Sequence, residues 1–200
     1  TKMYMVGDTD NSVFQYTLST AFDLSTASYD SVSKNLSSQD SRPRSLAFNT
    51  NGTKMYFVGR EDYVYQYSLS TAFDVSTASY DSVSFSVGSQ DGYPYGLAFN
   101  NDGTKMYMVG NTTTQSVYQY TLSTGFDLST ASYANISFSV ASQGTNPHEV
   151  AFNTDGTKMY VLQFSNKSVD QYTLSTAFAV STASYDSVSF SVASQDTQPE

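Results

Sequence analysis

Short apolar runs alternate with polar turns along the chain, and one run–turn–run unit recurs. Its fullest copy extends from Leu97 to Gly110, with the turn at Asn101-Asp102-Gly103. Related copies occupy residues 46–59 and 150–162, and the second half of the unit opens the chain at Thr1. Because Asp-Gly and Asn-Gly tolerate the positive φ angles of a tight turn, the unit predicts a β-hairpin.

A longer repeat contains this hairpin. The sequence Thr-Lys-Met-Tyr begins at Thr1, Thr53, Thr104 and Thr157, so the repeat is about 52 residues long. We expect a single β-propeller domain over residues 1–200, with repeats at 1–52, 53–103, 104–156 and 157–200.

Four strands are predicted in each full repeat, named A to D in chain order. Strand A reads Leu/Val-Ala-Phe-Asn, and strand B, Lys-Met-Tyr followed by apolar residues, is apolar on both faces, which indicates burial between two layers. Strand C pairs a bulky face with a smaller one. In strand D, Val83, Phe85 and Val87 alternate with serines, which is typical of an outer strand. The predicted A strands are 45–49, 96–100 and 149–153; the predicted C strands are 13–18, 64–69, 117–122 and 169–174.

The connection between strands C and D is nearly constant, which predicts a structured loop. Its expected anchors are Phe22, Phe73, Phe126 and Phe178. Asp residues follow the first three anchors and are expected to cap a short turn, whereas Ala179 follows the fourth. In the first repeat Lys34 stands where Phe85 stands in the second, which predicts a distorted or less covered outer strand.

The segment Pro-x-Gly-Leu-Ala-Phe-Asn-x-Asp-Gly-Thr-Lys-Met-Tyr-Met-Val-Gly, followed by Val-Tyr-Gln-Tyr, resembles the blades of YVTN-type and NHL-type bacterial propellers. It is also similar to arrays of such blades in marine bacterial and phage proteins. The resemblance covers the whole chain and implies an all-β propeller of four-stranded antiparallel blades, but no particular activity. A β-solenoid is the alternative architecture.

The repeats do not all contain four strands. The sequence predicts four strands each of types B, C and D but only three strands of type A. A closed ring needs an inner strand in every blade. We therefore expect an excerpt of a longer array, with the missing strand supplied by more chain or by a partner. Four blades could close alone, or two chains could form an eight-bladed homo-oligomer.

Composition narrows the classes of partner. The net charge of −9 argues against nucleic acid and against an anionic membrane surface, and no apolar run is long enough to span a bilayer. The chain has no Cys, which removes disulfides and thiolate chemistry. Few charges with many Ser, Thr, Asn and Tyr favour an extracellular, cell-surface or virion location.

The loops that vary among repeats are the predicted binding surface. In a meandering blade the B–C and D–A loops share one face, and the residue after each loop Pro differs: Arg44, Tyr95, His148 and Glu200. These positions should converge on one central mouth. The candidate ligand-binding residues are Arg42, Arg44, Arg60, Tyr63, Tyr93, Tyr95 and His148. Free drift of exposed loops is the alternative explanation.

Catalytic and metal roles find little support in the residue pattern. His148, the single His, is expected at the surface, and its neighbours complete neither a triad nor a metal set. Asp8, Asp10 and Asn11 offer oxygens to Ca²⁺ but lack an EF-hand pattern. No cofactor, metal or catalytic residue is therefore predicted.

The predicted function is a non-enzymatic extracellular binding or adhesion module for a glycan or a protein. The alternative is a structural spacer or assembly unit of a surface layer, fibre or virion. A propeller lyase or glycosidase is disfavoured, because one His and few inward-facing carboxylates are expected near the mouth.

Overall fold

The structure is a computed structural model that describes residues 1–111 and 114–196. The described residues form fifteen strands, which pair in sequence order into four antiparallel sheets arranged as propeller blades. The predicted all-β propeller class is confirmed. Thr112, Thr113 and residues 197–200, which include the candidate loop residue Glu200, lie outside the described residues.

The four sheets are numbered as blades 1 to 4. Blade 1 consists of β1 (Lys2–Gly7), β2 (Ser12–Leu18) and β3 (Ala27–Asn35). Blade 2 consists of β4 (Pro43–Phe48), β5 (Lys54–Gly59), β6 (Tyr63–Leu69) and β7 (Ala78–Ser86). Blade 3 consists of β8 (Pro94–Phe99), β9 (Lys105–Gly110), β10 (Ser116–Leu122) and β11 (Ala131–Ser139). Blade 4 consists of β12 (Pro147–Phe152), β13 (Lys158–Gln163), β14 (Ser168–Leu174) and β15 (Ala183–Ser191).

Strand A is the innermost strand of its blade, and it is found in blades 2, 3 and 4 as the sequence predicts. Strand D is longer than predicted, since it already begins at the Ala-Ser-Tyr end of the preceding loop. Ala78, for example, pairs with Leu69 at the end of β6, and a register shift between Gln66 and Tyr67 divides the ladder. The alternating pattern missed this early part because the shift interrupts the period of two.

The hairpin turn between strands A and B depends on glycine. Gly52, Gly103 and Gly156 have φ values of 72°, 71° and 70°, which side chains rarely adopt. A Cβ atom at Gly103 would also lie 2.3 Å from the ring of Phe126. The turn therefore packs under the C–D loop, and the Phe126 N–H donates to the Gly103 carbonyl at 3.1 Å.

The C–D loops contain short 3₁₀ helices, at Leu24–Thr26, Val75–Thr77, Leu128–Thr130 and Val180–Thr182. The predicted Asp caps are confirmed, because the carboxylates of Asp23, Asp74 and Asp127 each accept from the backbone N–H two residues later. Ala179 makes no such hydrogen bond. Because the fourth loop forms the same 3₁₀ turn without this cap, we infer that packing mainly holds the loop in shape.

The core consists of three clusters, one between each pair of consecutive blades. Between blades 2 and 3, for instance, Tyr56 and Val58 of β5 pack with Met106 and Met108 of β9, and all four are fully buried. The B strands β5 and β9 are apolar on both faces because each lies between two such clusters. Most of the buried apolar residues thus belong to clusters between blades, which stabilise the fold.

Three polar and aromatic contacts recur at every junction between blades. First, a strand B tyrosine donates its hydroxyl to the carbonyl of the loop Phe in the next blade: Tyr4 to Phe73, Tyr56 to Phe126, and Tyr107 to Phe178. Second, a strand C glutamine accepts from the first 3₁₀ residue of the next blade: Gln15 from Val75, Gln66 from Leu128, and Gln119 from Val180. These bonds fix how adjacent blades are oriented.

The third contact joins strand D to a strand C tyrosine of the next blade. Phe85 meets Tyr120 and Phe138 meets Tyr172 edge to face, with centroids 5.5 and 5.6 Å apart. At the first junction Lys34 takes the place of the Phe, and its ammonium lies 5.9 Å from the centre of the Tyr67 ring. The strand is not distorted, because Lys34 pairs with Val13 as Phe85 pairs with Val64.

Blades 1 and 4 do not make these contacts with each other in the part of the chain that the structure describes. Phe22 is therefore fully exposed, so its predicted role as a loop anchor is wrong. Phe73, Phe126 and Phe178 pack on aromatic partners and are anchors as predicted. Among the described residues, no helix has the length and hydropathy needed to cross a membrane.

Candidate functional site

The inner strands bring three candidate residues to the propeller axis. Arg44, Tyr95 and His148 are the second residues of β4, β8 and β12, and the strand register shifts at each of them. Such a bulge leaves its residue out of the ladder and re-aims the side chain. The convergence expected from the sequence is therefore seen for these three positions.

The three side chains form one continuous stack with Phe164. The Arg44 guanidinium carbon lies 3.9 Å from the Tyr95 ring centre, and Tyr95 stacks on His148 with centroids 3.9 Å apart. His148 in turn stacks on Phe164 at 4.7 Å. A hydrogen bond of 2.9 Å from Arg44 Nη1 to the Pro94 carbonyl holds the guanidinium in place. Cation–π and stacking contacts fix these groups across three blades.

His148 is buried, with 6% of its surface exposed, so its predicted surface position is wrong. The burial arises because Tyr95 and Phe164 cover both faces of the imidazole ring. Neither neighbour is adjacent to His148 in the sequence, and each becomes its neighbour only when the strands assemble.

A carboxyl group that the sequence reasoning missed lies beside this stack. Glu149 follows His148 on β12, and the Ser45 hydroxyl donates to its Oε2 at 3.0 Å. The N–H of Val150 donates to Oε1 at 2.9 Å. The N–H of Leu97 donates to Ser45 Oγ at 3.1 Å, so strands from blades 2, 3 and 4 meet at this carboxyl.

Glu149 fits because the equivalent residues in the other blades are small. Ser45 and Gly96 occupy the same position in β4 and β8. A Cβ atom at Gly96 would lie 2.7 Å from the Glu149 Cα and 2.8 Å from its Oε1. An acidic residue in a strand position that otherwise holds Ser or Gly was the sequence signal that could have identified it.

Burial raises the pKa of the Glu149 carboxyl to about 7, although hydrogen bonds from Val150, Ser45 and Leu97 favour the ionised form. At neutral pH the group exists in both protonation states. A carboxyl of this kind can accept and release a proton, which is the property required of a general acid or base.

Two cavities adjoin the carboxyl group. The larger, about 450 Å³, lies between β1 and β4 and includes Arg44, Ser45 and Glu149 in its lining. The smaller, about 230 Å³, is largely apolar and is lined by Glu149, Ala151, Tyr160, Leu162 and Val169. The larger volume falls within the range of about 300–1,000 Å³ usual for small-molecule sites.

The other candidate residues do not reach the axis. Arg42, Arg60 and Tyr93 are exposed in the outer loops, and Tyr63 is exposed at the start of β6. Tyr63 and Tyr93 retain 41% and 54% of their surface. The Arg60 N–H donates to the Arg42 carbonyl at 3.2 Å, so a B–C loop and a D–A loop do share a face. Their role in ligand binding stays a prediction.

The Asp40 side chain of an outer loop bonds to the backbone of two loops. Asp40 accepts from the N–H groups of Arg42, Arg60 and Glu61 and thereby joins two loops. Within residues 1–111 and 114–196, no group of three or more His, Asp or Glu side chains is arranged to hold a metal ion.

Solved structures with the same fold were found, whereas no protein-family model and no curated protein matches the sequence. The Pseudomonas aeruginosa periplasmic gluconolactonase is 13% identical, with a TM-score of 0.60 over 96% of this chain and 51% of that one. A Bacteroides uniformis protein with the provisional name 6-phosphogluconolactonase is 11% identical, with a TM-score of 0.61 over 92% of this chain and 49% of that one.

A third neighbour has a different kind of name. Sqt1 of Chaetomium thermophilum, solved with the N-terminus of ribosomal protein L10, is 16% identical, with a TM-score of 0.54 over 99% of this chain and 47% of that one. All three are β-propeller proteins. This chain spans about half the length of each, and at these identities the likeness establishes the fold alone.

The comparison corrects the predicted function. Three matched structures carry lactonase names, and this finding contradicts the prediction of a non-enzymatic adhesion module and the prediction that the chain is not an enzyme. The physical reason lies at the axis. The prediction relied on a shortage of inward-facing carboxylates, whereas Glu149 lies there with a raised pKa, next to Arg44 and His148 in the inner strands.

Proposed function

We propose that this chain forms the catalytic part of a propeller hydrolase that opens the lactone ring of a sugar acid. The observation that carries the proposal is the Glu149 carboxyl, whose pKa of about 7 suits a base that works near neutral pH. The lactonase names of two structural neighbours suggest the substrate class.

In the proposed reaction Glu149 is the general base. Its ionised carboxylate accepts a proton from water as the water oxygen bonds to the lactone carbonyl carbon. The ring C–O bond then breaks, and the protonated Glu149 carboxyl returns its proton to the ring oxygen, which gives the open hydroxy acid and restores the carboxylate. No covalent bond to the protein is needed.

Arg44 is proposed to stabilise the negative charge that develops on the carbonyl oxygen. It lines the same cavity as Glu149, and its stacking on Tyr95 leaves guanidinium N–H groups besides the Nη1 bond to Pro94. A fixed cation in a partly enclosed cavity favours an oxyanion more than water does. Sugar hydroxyl groups would find hydrogen-bond partners in the same polar lining.

Two expectations from the sequence, the type of the blades and the location of the protein, belong with this proposal. The YVTN or NHL type of the blades continues to rest on the motif alone. Export from the cytoplasm fits the periplasmic gluconolactonase among the neighbours, and an extracellular, cell-surface or virion location stays a proposal.

The test is an assay of the 200-residue chain with δ-gluconolactone and 6-phosphogluconolactone, corrected for spontaneous hydrolysis. We expect the rate to rise with pH around 7, as Glu149 ionises, and Glu149→Gln to reduce kcat by about a hundredfold or more. Arg44→Met should lower the rate as well. Glu61→Gln, at an exposed outer-loop carboxyl, is the matched control and should leave the rate unchanged.

Hydrolysis no faster than the blank with both lactones would overturn the proposal. Full activity of the Glu149→Gln protein would also overturn it, because the base would then be another group.

A further inference from the structure

In three of the four blades, side chains of strands B and C hold the carboxylate of a strand D Asp. In blade 2, Asp81 Oδ2 accepts from Lys54 Nζ at 2.7 Å and from Gln66 Nε2 at 2.8 Å. A hydroxyl group of strand C also bonds to this carboxylate. Asp30 in blade 1 and Asp186 in blade 4 are held by the equivalent lysine, glutamine and hydroxyl groups. The same set of donors therefore binds a carboxylate three times within this chain.

These donors select the ionised form of the carboxyl group. The hydrogen bonds, of which those from Lys2 and Lys158 contribute most, lower the pKa of the Asp30 and Asp186 carboxyls to about 2. A charge-assisted bond from an ammonium group is stronger than a bond between neutral groups. The set is thus suited to an anionic carboxylate.

Blade 3 keeps the donors but lacks the carboxylate. Its strand D has Ala134 at the position that Asp81 occupies in blade 2. The donors that remain on its strands B and C are Lys105, Gln119 and Thr121. Because the Ala side chain ends at Cβ, the carboxylate of a ligand can take the place that the Asp carboxylate takes in the other blades.

The donors of blade 3 are available to such a ligand. Lys105 Nζ donates to the Phe178 carbonyl at 3.1 Å, but that carbonyl also accepts from the Tyr107 hydroxyl at 2.6 Å. Lys105 can therefore turn to a ligand without leaving the carbonyl unpaired. Within the described residues, Lys105 has no carboxylate partner, unlike the lysines of the other B strands.

Gln119 is already fixed in the position that binding requires. It is 3% exposed, and its Oε1 accepts from the Val180 N–H at 3.2 Å, as Gln66 Oε1 accepts from the Leu128 N–H. Its Nε2 has no acceptor in the part of the chain that the structure describes, whereas Gln66 Nε2 donates to Asp81. A donor held in place before binding loses little conformational freedom when the ligand arrives.

We propose that Lys105, Gln119 and Thr121 bind the carboxylate group of a small-molecule ligand. The ligand carboxylate accepts from Lys105 Nζ and Gln119 Nε2 as the Asp81 carboxylate accepts from their equivalents in blade 2. None of the three donors lines the cavities beside Glu149, so the inference goes beyond the proposed lactonase activity and does not depend on it.

Acetate is the probe, because it matches the Asp side chain from Cβ outward. The test is a titration of the ¹⁵N-labelled wild-type chain with sodium acetate at neutral pH, with sodium chloride keeping the ionic strength constant, followed by NMR. We expect a saturable shift of the Gln119 side-chain amide signal. Lys105→Gln should raise the dissociation constant at least about tenfold, because it removes the charged donor.

Two further variants use the repeats as matched controls. Ala134→Asp supplies the carboxylate from within the chain, so it should abolish the response to acetate and raise the urea midpoint. Asp81→Ala recreates the site in blade 2, so acetate should then shift the Gln66 amide signal as well and recover part of the lost urea midpoint. Circular dichroism establishes that each variant is folded.

A Gln119 signal that acetate leaves unchanged would overturn the proposal. An equal shift with sodium chloride alone would also overturn it, because the site would then not recognise a carboxylate. The same holds for an undiminished acetate response of the Ala134→Asp protein. Each of these measurements reports binding and not lactone hydrolysis, so a failure of the proposed activity leaves the result unaffected.

Discussion

At the blade junctions, equivalent positions hold nearly the same residues, with Lys34 as the main exception, whereas at the axial ends of the inner strands they hold different ones. Tyr56 and Tyr107 make the same hydroxyl contact with the next blade. At the axis, by contrast, equivalent bulges carry Arg44, Tyr95 and His148. The junctions need repetition because each must present the same surface to the next blade. The axis is free of that requirement.

This difference indicates where chemistry can arise in a repeat protein. A carboxyl at the position of Ser45 or Gly96 in any blade would point into the same inner region, yet only blade 4 of the described chain carries one there. One carboxyl among small neighbours has room, a raised pKa and no second carboxylate beside it. Divergence of a single repeat position can thus create a site without disturbing the fold.

The largest expected effect concerns a junction tyrosine. Tyr107→Ala should lower the free energy of unfolding by about 3–5 kcal/mol, because it removes a fully buried ring packed 4.4 Å from Phe152 and a hydroxyl bonded to Phe178. Urea unfolding measures the change. Tyr160→Ala is the matched control, since the equivalent tyrosine of blade 4 has no next blade within the described chain.

We expect Tyr160→Ala to lower the free energy of unfolding by less than about 2 kcal/mol. Equal losses for the two variants would contradict the view that blade junctions, rather than the sheets themselves, provide most of the stability.

Much of this architecture could be predicted from the sequence. The Thr-Lys-Met-Tyr spacing identified the repeat, and the alternation in residues 82–87 identified strand D as an outer strand. The Asp caps followed from local chemistry, since Asp74 bonds to a backbone N–H two residues away. These features depend on neighbours in the sequence or on the repeat itself.

The candidate site could be predicted only in part. The positions after each Pro were expected to converge, and Arg44, Tyr95 and His148 do. The burial of His148 could not be predicted, because it depends on Phe164, whose equivalents are Arg60 and Asn111. Glu149 was overlooked because its pKa depends on strands from three blades meeting around it.

The raised pKa of the Glu149 carboxyl makes the free energy of unfolding depend on pH. Between pH values of about 4.5 and 7, the folded protein binds the Glu149 proton more tightly than the unfolded chain does, so the free energy of unfolding should fall as pH rises. The decrease should reach at most about 3 kcal/mol, and Glu149→Gln should remove it. Urea unfolding across this pH range measures both proteins.

The outer ion pairs act in a different pH range and serve as an internal reference. The Lys158 ammonium donates to Asp186 and holds the pKa of that carboxyl at about 2. Its contribution is present above pH 4 and is lost as the pH falls towards 2. Both the wild type and Glu149→Gln should show this acid loss, and a flat wild-type curve from pH 4.5 to 7 would contradict the raised Glu149 pKa.

The smallest expected change in the free energy of unfolding concerns the Asp caps of the C–D loops, of which Ala179 is the one natural exception. Asp127 accepts from the Ser129 N–H at 3.0 Å, whereas Ala179 provides no cap for an otherwise identical 3₁₀ turn. Asp127→Ala should therefore cost about 1 kcal/mol, and Ala179→Asp should stabilise the protein by about 0.5–1 kcal/mol. Urea unfolding of the two variants and of their combination measures both changes, which should add because the turns lie in different blades. If Ala179→Asp instead destabilised the protein, loop positions would not be interchangeable between repeats. That result would contradict the view that the junction regions are uniform, on which the contrast with the divergent axis depends.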